Sequence, residues 1–289
     1  MRVLIIGAQG QLGTEITKVY AGNKVIGADL DGDGLHIDIG DQQATHELIT
    51  SKVKPDLLVN VAAAHNVPKC EENPEWSYLI NAIAPRTMAI ACRKIGARMI
   101  HVSTDYVFGN GGEQPFVETD LPAPLSVYAA SKLAGEHLVA AEHPTNHITI
   151  RTAAIYGAAP CRAKGGKNFV NLMLDLAASR PEVKVVTDEY TTPTFTGDLA
   201  QQMKLLAEKA EPGLYHTTCQ GGCSWYEFAQ AIFEETRTET NLVKATASEF
   251  QTTVKRPNYS ILENKHAQDQ GLDIMPPWRE ALKAYLATH

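Results

Sequence analysis

Arg2-Val3-Leu4-Ile5-Ile6 running into Gly7-Ala8-Gln9-Gly10-Gln11-Leu12-Gly13 is the stretch whose reading decides the fold. A short, continuously apolar run suits a parallel strand covered on both faces. A helical pattern follows through Tyr20, so Gly-x-x-Gly-x-x-Gly sits after a strand and opens a helix. Glycines there permit a tight turn and let backbone amides approach a pyrophosphate at the positive end of the helix. A glycine-rich turn with no ligand is the plain alternative, but both position and flanks favour a dinucleotide site.

Outward from this loop, strands and helices alternate. Lys24 to Asp29 reads as a second strand ending in an acid, where a dinucleotide fold places the carboxylate that binds the adenosine ribose. Asp29 reads alternatively as a turn residue, as do Asp31 and Asp33. His36 to Ile39, containing Asp38 and Ile39, is a third strand, and Gln42 to Lys52 a helix. Pro55 to Ala64 is a fourth strand running into Ala62, Ala63 and Ala64, whose small side chains suit close passage beneath a flat cofactor or simple close packing. Pro74 to Ile95 reads as a long helix, and Met99 to Ser103 as a fifth strand delivering Thr104 at its carboxyl end. A helix to about Glu142 carries Tyr128 and Lys132, and Ile148 to Thr152 is a sixth strand. This alternation predicts an α/β fold, a Rossmann-type doubly wound parallel sheet.

Beyond Tyr156 the pattern loosens. Phe169 to Ser179, Gly197 to Ala210 and Ser224 to Thr236 read as helices, with Val183 to Val186 and Leu214 to Thr217 as strands. Ser224-Trp225-Tyr226-Glu227 is a capping box that fixes the start of the last helix. No linker separates the halves. The expected organisation is residues 1–155 as the dinucleotide-binding domain and 156–289 as a smaller, discontinuous substrate lobe interleaved with it.

Composition narrows the function. A chain of 289 residues with 44% hydrophobic and 20% charged residues is an ordinary globular sequence with room for a large core. A net charge of -7 argues against a nucleic-acid partner. No apolar run is long enough to span a bilayer, and the N-terminus reads straight into a strand without a signal peptide. The five cysteines are scattered and odd in number, so reduced thiols and a cytoplasmic location are expected. His216, Cys219 and Cys223 lack a fourth ligand, and Gly221-Gly222 reads as a turn, so zinc is not expected there.

On a helix, Tyr128 and Lys132 stand on one face. A phenol titrates near pH ~10 and is a poor acid or base at neutrality, but a neighbouring ammonium favours the phenolate and lowers that value. The pair suits proton transfer at a carbinol oxygen while hydride moves at carbon. Alone the spacing is weak, and an accidental pair on a solvated face would explain it. Behind a glycine loop it carries more.

With the glycine loop, Thr104, Tyr128 and Lys132 together, the chain resembles the dTDP-4-dehydrorhamnose reductase family of extended short-chain dehydrogenase/reductases. The likeness runs through Asn60-Val61-Ala62-Ala63, Ser103-Thr104-Asp105-Tyr106-Val107-Phe108, Asn168-Phe169-Val170, Pro193-Thr194 with Asp198-Leu199, and Arg256-Pro257-Asn258-Tyr259-Ser260, in order along nearly the whole chain. The resemblance implies a reductase passing hydride from NAD(P)H to the C4 ketone of a dTDP-4-dehydro-6-deoxy sugar, with dTDP-4-dehydro-L-rhamnose to dTDP-L-rhamnose as the first reading. It implies Tyr128 as proton donor, Thr104 hydrogen-bonded to the same oxygen, and Lys132 tuning the tyrosine and holding the nicotinamide ribose. Gly7, Gly10, Gln11, Leu12, Gly13, Asp29, Asp38, Ile39 and Ala62 to Ala64 would hold the cofactor. Val67, Asp105, Tyr106 and Asn168 would line the sugar pocket. Arg256 stands equally as a diphosphate ligand or as a structural arginine paired with an acid. Glu15 matches an acid that the resemblance links to magnesium, or it caps the first helix dipole, so Mg use stays open. Asp29, with no Arg or Lys in the turn after it, predicts NADH preferred over NADPH without exclusion. The nucleotide sugar is the expected partner, with neither nucleic acid nor membrane, and a homodimer is compatible with the sequence.

The chain departs from the family in four places. Ala153-Ala154 follows Arg151-Thr152 where an aromatic is usual. Residues 158–167 form a longer segment than usual. Thr187-Asp188-Glu189-Tyr190-Thr191 and Val67-Pro68 replace common family sequences. All four lie where the family builds its sugar pocket, which leaves the reaction intact and opens the identity of the sugar, so that a different nucleotide-linked 4-keto deoxysugar is the alternative. Dehydratases of the same fold carry a catalytic Glu where Tyr106 stands, and epimerases open with a different glycine loop. A non-catalytic reading also exists, because the regulatory subunit of methionine adenosyltransferase resembles this subfamily; retention of Thr104, Tyr128 and Lys132 argues for an enzyme.

Overall fold

A computed structural model describes residues 1–109, 111–161, 165–250 and 254–288. Strand β1 (Arg2–Ile6) is apolar from Val3 onward because its alternate side chains enter two different cores. Val3 and Ile5 join one cluster and Leu4 and Ile6 the other, as the period-2 geometry of a strand requires. Around it lie α1 (Gln11–Val19), β2 (Lys24–Asp29), β3 (Leu35–His36), α2 (Gln42–Glu47) and β4 (Leu57–Asn60). Then come α3 (Val67–Glu72), α4 (Pro74–Tyr78), α5 (Ala84–Ile95), β5 (Arg98–Thr104), α6 (Val127–Glu142) and β6 (His147–Thr152).

These strands form a seven-stranded sheet whose order is Gly213–His216, β6, β5, β4, β1, β2, β3. Every pairing in it is parallel. The outer strand Gly213–His216 comes from the second half of the chain and pairs with β6, so residues far apart in sequence share one sheet. One core beneath the sheet contains Leu12 and Ile16 of α1 with Leu199 and Met203 of the helix Thr196–Lys209. The core on the opposite face holds Ile49, Met88, Ala89 and Cys92.

Three expectations need correction. The third strand stops at His36; Ile37 and Ile39 are buried in the second core but lie outside the ladder. The helix after Gln42 widens into a π-type turn over Leu48–Val53 and closes at Lys54, whose φ is 50°. The long helix from Pro74 to Ile95 contains a π-type turn at Leu79–Ile83. Pro85 explains it: without an N–H it leaves the carbonyl of Asn81 without its usual helical donor. That carbonyl meets α6 at Gly135, where a Cβ would lie 2.2 Å from the Asn81 oxygen. The glycine therefore lets α6 lie hard against this interrupted helix.

In the second half the expected helices form at Phe169–Ser179, Thr196–Lys209 and Trp225–Thr236, the last with its capping box of Ser224 and Glu227 complete. The strand Asn241–Ala245, parallel to Glu182–Val186, and the helices Lys265–Asp269 and Trp278–Leu286 were not legible from sequence. No helix among the described residues is long and apolar enough to cross a membrane.

Candidate active site

Because β1, β4, β5 and β6 are parallel, the glycine loop, Ala62 to Ala64, Thr104 and Thr152 all emerge at one edge of the sheet. Ligands of open α/β sheets bind beyond that edge. Gly7 has φ 87°, and a Cβ there would stand 2.8 Å from the Ala62 nitrogen. At Gly13 a Cβ would fall 2.2 Å from the Gly7 oxygen. Both are therefore required by the protein's own packing. Gly10 is not: its Cβ would make one ordinary contact, 3.4 Å from the Gly7 oxygen. Gly10 is the N-cap of α1 and supplies no side-chain cap, which leaves an open backbone cradle at the helix N-terminus. That is the form a pyrophosphate fits. Gln11 is buried and donates to the Gly157 carbonyl at 3.3 Å, and Leu12 and Gly13 are also buried.

Asp29 lies beside this loop. Its Oδ2 accepts the Gln9 N–H at 2.9 Å and its Oδ1 the Leu30 N–H at 2.8 Å. Asp38 is exposed and accepts the Gly40 N–H at 2.8 Å, while Ile39 is buried. Ala64 is tied at both backbone groups by Asn81, whose amide accepts from its N–H at 2.8 Å and donates to its oxygen at 3.0 Å. Asn81 also donates to Ser131 of α6 at 3.0 Å. This residue, to which sequence reasoning gave no role, connects the alanine stretch to the helix of Tyr128 and Lys132.

Ser126 starts α6 by accepting the Ala129 N–H at 3.2 Å, and the Glu71 carboxylate accepts the Val127 N–H at 2.7 Å. The first turn so fixed sets Tyr128 edge-on to Tyr106, with ring centroids 6.1 Å apart and an interplanar angle of 80°. Thr104 is buried; its Oγ1 accepts the Tyr106 N–H at 3.2 Å and donates to Asp105 Oδ1 at 3.1 Å. Burial pushes the Tyr128 phenol well above its ordinary range; a hydrogen bond with Thr104 pulls it back, and Asp105 and Cys70 add to the rise. Lys132, expected to lower it, is not among the groups that move it. Lys132 is buried, and its Nζ donates to the Val102 carbonyl at 2.6 Å. Burial brings its ammonium down to about 8, opposed by the Glu136 carboxylate.

Glu136 is one turn beyond Lys132 and is buried, as is Arg151 of β6. The guanidinium grips this carboxylate through Nε at 3.0 and 3.1 Å and one terminal nitrogen at 2.7 Å. Ser103 donates to the same carboxylate, and the Phe108 ring lies 5.1 Å from the guanidinium carbon. Neither Glu136 nor Arg151 was singled out for the site from sequence, although the i, i+4 spacing of Lys132 and Glu136 was the available signal.

Val67 opens α3 behind the Asn66 cap and is half-buried. Asp105 is buried and accepts from Ser260 at 2.6 Å. Arg256 is exposed; its charge acts on Tyr106 and on Glu189, whose carboxyl burial raises and Arg256 lowers. Asn168 is buried, caps the helix Phe169–Ser179, and donates to Gly157 at 2.9 Å and Tyr285 at 3.2 Å. Of the long segment 158–167, residues 162–164 lie outside the described ones. Ala153 is buried, and Ala154 adopts φ 42°. Glu15 pairs with Lys18 at 2.7 Å. Cys219 and Cys223 are buried in the apolar core, and burial pushes the Cys219 thiol up to about 12. No cluster of three or more metal-ligating side chains occurs among the described residues.

The profile of the family described as "RmlD substrate binding domain" matches residues 1–289. The chain is 40% identical to the spore coat polysaccharide biosynthesis protein SpsK of Bacillus subtilis (strain 168), over 99% of this chain and 96% of that one. A dTDP-4-dehydrorhamnose reductase structure from Clostridium acetobutylicum superposes with a TM-score of 0.93 at 39% identity, covering 100% and 99% of the two chains. One from Bacillus anthracis, solved in complex with NADP, gives a TM-score of 0.92 at 32% identity over 100% and 99%.

Proposed function

The chain belongs to the RmlD substrate binding domain family, and on that premise we propose that it reduces the C4 ketone of a dTDP-4-dehydro-6-deoxy sugar with a nicotinamide cofactor. The first candidate is dTDP-4-dehydro-L-rhamnose, giving dTDP-L-rhamnose. The observation that carries the reading is the convergence of Thr104, Tyr128 and Lys132 with an open glycine cradle at one sheet edge. A reduced nicotinamide dinucleotide, its pyrophosphate held by the Gly7–Gly13 loop, would supply the hydride. Tyr128 gives its proton to the oxygen on which charge develops; its raised pKa keeps that proton in place at neutral pH. Lys132 supplies positive charge beneath the site, and Thr104 donates a second hydrogen bond to the same oxygen. Donors aimed there stabilise the transition state more than the ketone.

The test is loss of reduced-cofactor absorbance with a panel of dTDP-4-keto sugars. Turnover is expected, and with less discrimination among 6-deoxy isomers than a pocket walled by the family's usual aromatic would give. Ala153-Ala154 lacks that stacking surface, which is worth about 0.5–1.5 kcal/mol beyond burial. A strict preference for the rhamnose precursor would count against this second point, and no turnover with any sugar would overturn the reading.

The cofactor preference proposed is for NADH. Asp29, fixed beside the loop by Gln9, suits the ribose hydroxyls and would face a 2′-phosphate of like charge. At about 4 Å and an effective dielectric near 20 that repulsion is roughly 4 kcal/mol before screening. A remainder of about 1.4 kcal/mol gives a tenfold preference. Asp29→Ala is expected to narrow the ratio of kcat/KM values, mainly by improving NADPH. An unchanged ratio would remove Asp29 from cofactor selection.

A further inference from the structure

Ser260 lies 155 residues from Asp105 in sequence, yet the two meet in the interior. The segment that brings Ser260 there is held by backbone bonds on both sides. Ser260 N–H donates to Tyr190 oxygen at 2.9 Å, and Phe116 N–H donates to Ile261 oxygen at 2.9 Å. The Ser260 hydroxyl has one proton and two acceptors in reach, Asp105 Oδ2 at 2.6 Å and the Tyr190 carbonyl at 3.3 Å. The shorter contact to the carboxylate wins, because charge-assisted bonds are about twice as strong.

Thr104 has the same constraint. Its single hydroxyl proton has two acceptors in reach, Asp105 Oδ1 at 3.1 Å and the Tyr128 oxygen, while its own oxygen accepts from Tyr106 N–H. It cannot donate to a substrate oxygen in that state. A buried carboxylate left short of donors holds any hydroxyl it reaches. Asp105 is not short of them, because Ser260 and the backbone N–H groups of Asp105 and Tyr106 also donate to it. We propose that Ser260 is a positioning residue: by satisfying the Asp105 carboxylate it frees Thr104 to turn its proton to the carbonyl oxygen under reduction. The inference rests on the reductase reading above.

The groups around Asp105 are Thr104 and Tyr106 on its own segment, Tyr128 from α6 and Ser260 from the C-terminal segment, with Arg256 and Glu189 beyond Tyr106 and Cys70 beyond Tyr128. Burial brings the Asp105 carboxyl up to about 6, with Ser260 holding it down. Losing Ser260 therefore moves its titration to higher pH. Below that titration the protonated carboxyl no longer takes the Thr104 proton.

The experiment is single-turnover oxidation of reduced cofactor by wild type, Ser260→Ala and Ser260→Thr across pH 5 to 8, with ¹³C NMR titration of the Asp105 carboxyl in the ligand-free proteins. Ser260→Ala is expected to slow turnover about tenfold at pH 8, the scale of one hydrogen bond to a charged group, with KM little changed. The loss should shrink as pH falls, Ser260→Thr should restore most of the rate, and the carboxyl should titrate higher in Ser260→Ala. A loss equal at every pH, a defect confined to KM, no rescue by threonine, or an unmoved carboxyl would each overturn the role. An inactive wild type would instead overturn the reductase reading, and the Ser260 role with it.

Discussion

Replacing Tyr128 with Phe is expected to lower turnover by about two to four powers of ten, the scale of general acid catalysis, with cofactor binding retained. The ring's packing against Tyr106 is edge-on and needs no hydroxyl, so the variant keeps the site's shape and loses only the proton. Stopped-flow absorbance of the reduced cofactor measures this, and near-normal turnover would refute Tyr128 as donor. The pH profile of the wild type separates the two partners. Tyr128 is raised far out of the working range, so it stays protonated throughout. Lys132, brought down to about 8 by burial, is the group that titrates. Its ammonium is present below that value and lost above it, so the rate should fall as pH rises through about 8.

The inner strands β1 and β4 were legible because they are buried and read as short apolar runs. The capping box at Ser224 was legible for a local reason: both partners lie within one turn. The π-type turn at Leu79–Ile83 was not, since a helical pattern continues through it and only Pro85 marks the disturbance. Asn241–Ala245 was missed because its pairing partner, Glu182–Val186, is distant in sequence and the two form a sheet of only two strands. At the candidate site, spacing singled out Tyr128 and Lys132, and the end of a strand singled out Thr104. What tunes them was hidden. Burial raises the Tyr128 phenol, and burial depends on packing that no local motif encodes. Ser260 was quoted within a motif but without a role, since its partner Asp105 lies 155 residues away and meets it only in the fold.

The second large effect is expected at Glu136. Glu136→Ala should destabilise the fold by about 3–5 kcal/mol, the cost of leaving one member of a buried ion pair behind. Arg151 has its guanidinium in the interior, so its charge cannot simply return to water when the carboxylate goes. The stacking of Phe108 offsets only a small part of that loss, because a ring face is a weaker partner than a carboxylate. Urea denaturation measures the change. Replacing both partners, Glu136→Leu with Arg151→Met, should recover much of it, because the desolvation of two charges is then avoided. If the double variant is as unstable as the single one, packing and not charge is what Glu136 supplies. Function gives an independent reading of the same residue. The Glu136 carboxylate is the influence that favours the charged form of Lys132 against burial. Without it the ammonium gives up its proton more readily, so the fall in rate should begin below pH 8 in Glu136→Ala. Ion pairing buried beneath the catalytic helix would then serve both the stability of the sheet edge and the charge that the reaction uses. A profile unchanged from wild type would confine Glu136 to the fold.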